Sequence, residues 1–112
     1  YGDGKQTRSF LYIDECIEGI RRLMVSNFSD PINIGSDECV SINDFAKMII
    51  SLSKKPLGVK NLKVRQLGVR GRNSDNNLIH RKLGWQPTLP LKIGIEKTYK
   101  WIDDQINGKN EK

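Results

Sequence analysis

Two short apolar runs, SFLYI at 9–13 and PINIG at 31–35, are separated by a single amphipathic segment. No other feature constrains the fold so tightly. Both runs read as buried parallel strands, the second stopped by Gly35, with the intervening segment as the right-handed crossover helix that parallel strands require. Asp14 stands where an N-cap belongs, and Ile13, Cys16, Ile17, Ile20, Leu23 and Met24 recur at three- and four-residue steps along one helix face. Two strands do not make a stable sheet, so the missing strands are expected to come from elsewhere.

The remaining elements are legible from their punctuation. Ser41 and Asp44 form a capping box ahead of a second helix whose apolar face is Ile42, Phe45, Ala46, Ile49 and Leu52, ending before Pro56. Residues 60–66 (KNLKVRQ) alternate charged and apolar, as a half-exposed strand does. After the VRGRNSD loop, a short helix is expected over 76–83. Gly84 would take the left-handed position that closes it, Trp85 would fold back onto it, and Pro87 forbids its continuation. Ile95, Tyr99, Ile102 and Ile106 mark a last amphipathic helix stopping at Gly108, before a solvated tail. The expected order is β-α-β-α-β-α-α, an α/β architecture.

The chain has 112 residues, and at 37% hydrophobic its core is lean, as in a piece that leans on a neighbour. No apolar run approaches a membrane span and no signal-peptide pattern precedes SFLYI, so a cytoplasmic location with no membrane partner is expected. Cys16 and Cys39 lack metal-site spacing and read as buried reduced thiols, with a disulfide between them as the alternative. His80, the single histidine, reads as a surface residue. Asp14 and Glu15, adjacent in a helix start, read as cap and first-turn acid rather than as a catalytic pair.

The net charge of +6 admits nucleic acid, phosphate ligands or plain solubility. The lysines are scattered and no basic stripe interleaves with aromatics, so they read as solvated and no nucleic-acid partner is expected. The arginines differ. Arg8, Arg70 and Arg72 sit beside glycine or small polar residues in segments that read as loops, where a planar guanidinium can fork onto a diphosphate. The opening YGDGKQTR, a glycine-bracketed turn carrying polar residues, reads as a ligand loop from within a longer enzyme, with Tyr1 beside the ligand.

Three stretches then coincide. GDGKQTRSFLYIDECIEGI, NIGSDECVSINDFA and VRGRNSDNNLIHRKLGWQP resemble the loop-strand-helix signature, the returning strand and next helix, and the late arginine loop of extended short-chain dehydrogenase/reductases acting on nucleotide sugars. The resemblance covers nearly the whole chain, fading after Lys109 and weak over 54–66. It implies an α/β fold: the C-terminal part of such an enzyme, with the end of the Rossmann sheet plus the small substrate-binding subdomain. Residues 1–35 would hold the last Rossmann elements and the substrate loop, 36–108 the subdomain and 109–112 the tail. It further implies that Gln6, Thr7, Arg8 and Arg72 contact the nucleotide-sugar substrate.

The resemblance also implies NAD as cofactor of the full-length parent, which oxidises the hexose transiently so that neighbouring carbons can exchange protons. The glycine-rich dinucleotide turn of the family is absent from this sequence. No NAD binding and no catalytic residue is therefore expected in this stretch, and Cys16 does not match the family's catalytic cysteine. The partners implied are a nucleotide sugar, the N-terminal Rossmann half and, at full length, a second copy in a homodimer. Rival readings are another nucleotide-sugar enzyme of the superfamily, such as a UDP-glucuronate decarboxylase or 4-epimerase, and a non-enzymatic basic binding module.

Overall fold

In the computed structural model, residues 2–63 and 68–108 are described. Seven elements follow in order: β1 (Thr7–Arg8), α1 (Ile13–Met24), β2 (Val40–Ser41), α2 (Ile42–Ser53), β3 (Gly71–Arg72), α3 (Asn77–Leu83) and α4 (Leu91–Asn107). The three strands form one small sheet in the order β2-β1-β3, antiparallel between β1 and β2 and parallel between β1 and β3.

The helices lie where the apolar period put them, but the strands do not. Neither SFLYI nor PINIG is in a ladder; the pairing falls instead on the polar residues just before SFLYI and on two segments read as loops. A strand exists only where a second backbone completes its hydrogen bonds. Among the described residues nothing pairs with 9–12 or 31–35 as a strand. Residues 60–63 are likewise outside any strand, although the Leu62 carbonyl accepts from Gly2 N at 2.7 Å. The rest of that expected strand, the Tyr1 reading and the 109–112 tail lie outside the described residues.

Helix α1 starts two residues earlier than the Asp14 cap implied, with Tyr12 at the N-cap. Asp14 and Glu15 occupy its first turn and Arg21 and Arg22 its last, the charge order that the helix dipole favours. Glu18 adds pairs to Arg21 at 2.8 Å and Arg22 at 2.7 Å. Its Gly19 is buried at a close crossing, because an added Cβ would lie 2.7 Å from Ile34 and 2.9 Å from the Trp85 ring. Trp85 thus packs on α1, with the Arg22 guanidinium 5.8 Å above its ring. Gly84 does close α3 in the left-handed region, at φ 62°.

At α2 the Ser41 hydroxyl accepts from Asp44 N at 3.1 Å, as the capping pattern anticipated. Helix α4 starts at Leu91, one turn ahead of the apolar face residue Ile95, where a distant carboxylate caps it: Leu91 N donates to Glu38 Oε2 at 2.8 Å. Glu15, expected to serve only its own helix, also accepts from Thr88 N at 3.0 Å and Leu89 N at 2.8 Å. These two acids seat the 88–91 turn against the first half of the chain.

The interior is small. Ile79 and Leu91 are its buried apolar residues, Phe10 and Phe45 stack at 4.1 Å, and a cavity of about 230 Å³ lies between them, Leu89 and Ile95. The chain's radius of gyration is 17.0 Å, against roughly 13 Å for a compact domain of this length. Its surface is 8737 Å², where a self-contained monomer of 12.8 kDa would expose roughly 6,300 Å². The exposed surface includes an apolar stripe of α1: Ile13, Ile17, Ile20 and Met24 are 47–78% exposed. No helix among the described residues is long and apolar enough to cross a membrane.

Candidate functional site

The opening turn is built by glycine. Gly2 and Gly4 have φ of 94° and 72°, and a side chain on Gly4 would collide with the Asn43 carboxamide. Asn43 N donates to the Gly4 carbonyl at 2.9 Å, and Ile42 N to Gln6 O at 3.0 Å, so the turn is pinned on the start of α2. Asp3, between the glycines, is committed to structure. Its carboxylate accepts from Lys5 N at 2.9 Å and from the Arg70 guanidinium at 3.0 and 3.1 Å, while its carbonyl accepts from the Asn43 and Asn61 side chains. The bond from Arg70, then that from Lys5, holds the Asp3 carboxyl below its ordinary range.

From this anchor β1 runs beside β3. Thr7 N donates to Arg70 O at 2.9 Å, and the register pairs Thr7 with Gly71 and Arg8 with Arg72. Gly71 is required by proximity, since a Cβ there would stand 2.8 Å from the Thr7 hydroxyl. Three of the four expected substrate residues therefore share one ladder, and the fourth, Gln6, directly precedes it. The two arginines do not close from opposite sides, as distant loops might have done. They issue from adjacent strands about 4.8 Å apart.

Their surroundings differ. Arg8 is half-buried and its Nη1 donates to the Thr7 carbonyl at 2.7 Å. Arg72 is exposed and borders an open cleft of about 610 Å³ with Ser9, Asn33, Ser36, Asn73 and Ser74. Among the described residues neither arginine meets a carboxylate, whereas Arg70 is held by Asp3. Like charges on directly paired residues repel, and an anion spanning both guanidiniums reverses that term while supplying charge-assisted hydrogen bonds. Hydroxyls and carboxamides on the facing wall suit a ligand rich in hydroxyl groups.

The cleft wall itself escaped the sequence reading. Asn76 is 7% exposed; its Nδ2 donates to the Gly35 carbonyl at 3.0 Å and its Oδ1 accepts from Ser74 Oγ at 2.7 Å. The signal available was the polar run NSDNN ahead of α3, which reads equally as a helix start. Cys39 is exposed rather than buried, with its Sγ 3.8 Å from the Arg72 carbonyl; both cysteines are free thiols. His80 lies on the solvent side of α3. Among the described residues no cluster of three or more His, Cys, Asp or Glu could hold a metal ion.

This fold is that of part of an extended short-chain dehydrogenase/reductase: a UDP-glucuronic acid 4-epimerase from Bacillus cereus, solved with UDP-glucuronic acid and NAD, superposes on 94% of the chain with a TM-score of 0.83 and 32% identity. A UDP-glucose 4-epimerase from Thermotoga maritima gives a TM-score of 0.88 at 23% identity, a likeness of fold alone. In sequence the chain is 54% identical over all 112 residues to GDP-mannose 3,5-epimerase from Arabidopsis thaliana. It is 35% identical over 106 residues to UDP-glucuronic acid decarboxylase 1 from Danio rerio. The chain spans 29% of the first of these relatives, 25% of the second and 34% of the Bacillus structure. No family model matches it.

Proposed function

We propose that this chain is the substrate-gripping part of an NAD-dependent nucleotide-sugar epimerase, with GDP-mannose as the sugar nucleotide. The observation that carries the reading is the register pairing of Arg8 with Arg72, the latter bordering the cleft, in a chain 54% identical to GDP-mannose 3,5-epimerase. Arg8 and Arg72 hold the diphosphate and Gln6 and Thr7 fix its orientation, so that the hexose is presented to chemistry supplied by the rest of the enzyme. The present residues do not fit the cofactor, because the sequence has no glycine-rich dinucleotide turn to hold its pyrophosphate. Residues 1–35 belong with the Rossmann half and 36–108 with the substrate subdomain; the whole enzyme is a cytoplasmic homodimer.

The test is substrate preference in the full-length protein that carries this chain. Epimerisation of GDP-mannose, with a clear preference over UDP-glucuronate, is the expected result. The structural likeness to an enzyme solved with UDP-glucuronic acid makes a UDP-sugar the second reading, and the opposite preference would establish it. Failure to bind either nucleotide sugar would leave a basic binding module, for which affinity falls evenly with each lysine removed and steeply with salt.

A further inference from the structure

We propose that Asn76 is a positioning residue for the cleft: its buried carboxamide ties the wall that carries Arg72 to the wall formed by residues 33–36. The role rests on the reading of Arg8 and Arg72 as diphosphate ligands. Asn76 occupies the N-cap position of α3, where an asparagine side chain ordinarily accepts from the helix's own first turn. Here it makes no such bond, and the nearby Asn77 N is satisfied by Asp75 Oδ1 at 3.0 Å. Capping therefore does not explain the carboxamide. Its two bonds do, since they join Gly35, 41 residues away, to Ser74.

Other ties run in parallel between the same walls. Ser74 N donates to the Ser36 carbonyl at 3.1 Å and Asn73 Nδ2 to the Asp37 carbonyl at 3.2 Å. The Asn73–Asp37 tie is exposed, and water can replace it at little cost. Asn76 is shielded, at 7% exposed, so losing its carboxamide removes from inside the fold the group that both the Gly35 carbonyl and the Ser74 hydroxyl bond. The walls are also as close as they can come at this point, because a Cβ on Gly35 would lie 2.9 Å from that of Ser74. Asn76 thus fixes the spacing between the two walls, and with it where the Arg72 strand stands relative to Asn33 and Ser36.

The experiment is GDP titration, alongside melting temperature, on the full-length protein and its Asn76→Ala, Ser74→Ala, Arg72→Ala and Asn76→Ala/Arg72→Ala variants. Arg72→Ala is expected to weaken GDP roughly ten- to a hundredfold, Asn76→Ala about tenfold and Ser74→Ala about two- to threefold. The double variant should be no weaker than Arg72→Ala, because the effect of Asn76 passes through that arginine. Unchanged GDP affinity in a folded Asn76→Ala protein, or fully additive losses in the double variant, would overturn the role. If Asn76→Ala does not fold, Asn76→Asp decides, since it keeps an acceptor for Ser74 Oγ and loses the donor to the Gly35 carbonyl: weaker GDP in the folded variant supports the tie, and unchanged affinity overturns it. An Arg72→Ala protein that binds GDP normally would remove the diphosphate reading itself, and the role of Asn76 with it.

Discussion

Arg8 and Arg72 are register partners across the parallel ladder of β1 and β3, while Arg70, two residues before Arg72, is held by the Asp3 carboxylate at 3.0 Å. Three arginines that look equivalent in the sequence thus have different work. In the full-length protein, Arg72→Ala should raise the Michaelis constant for the sugar nucleotide roughly ten- to a hundredfold, the usual effect of losing a charge-assisted phosphate contact of about 1.5–3 kcal/mol. NAD affinity should hardly change. Arg70→Ala should do much less, and equal effects of the two substitutions in steady-state kinetics would contradict the separation.

The 112-residue chain by itself should not turn over a sugar nucleotide. It carries a candidate grip for the substrate but not the glycine-rich dinucleotide turn of the family. Incubation of the purified chain with NAD and GDP-mannose, followed by chromatography of the sugars, is expected to return GDP-mannose alone. Any epimerised product traceable to the chain would refute this.

The exposed apolar stripe of α1 makes a second prediction about the isolated chain. Ile13, Ile17, Ile20 and Met24 form an area that water penalises, on a molecule with surface well above that of a compact domain. Sedimentation velocity should show association that grows with concentration, and Ile17→Lys should shift the distribution toward monomer. A parent chain that stays monomeric and melts like a complete domain would count against it.

The Glu18 carboxylate accepts from Arg21 and then Arg22, and these bonds lower its pKa from the ordinary 4.5 to about 2. A depressed carboxylate pKa stabilises the fold above the unfolded value, and the benefit is lost as the pH falls through the folded value. Glu18→Gln should therefore lower the melting temperature modestly at neutral pH. Between pH 4.5 and 2 the difference from the parent should shrink to nothing. A gap that persists below pH 2 would mean that Glu18 acts through packing instead.

What the sequence by itself determined is local. The helical faces of α1, α2 and α4, the Ser41 cap and the left-handed Gly84 were legible because a helix satisfies its hydrogen bonds among residues three or four apart, and its ends are closed by neighbours in the chain. The residue types of the candidate site were legible too, through the QTR and GRNSD motifs. Tertiary structure decided the rest. It denied SFLYI and PINIG a ladder, gave strands to Thr7–Arg8 and Gly71–Arg72, took Arg70 out of use with Asp3, and turned Glu38 and Asn76 to Leu91 and Gly35. Each of these depends on a partner tens of residues away, and a backbone or carboxamide group carries no local mark of which distant group will satisfy it.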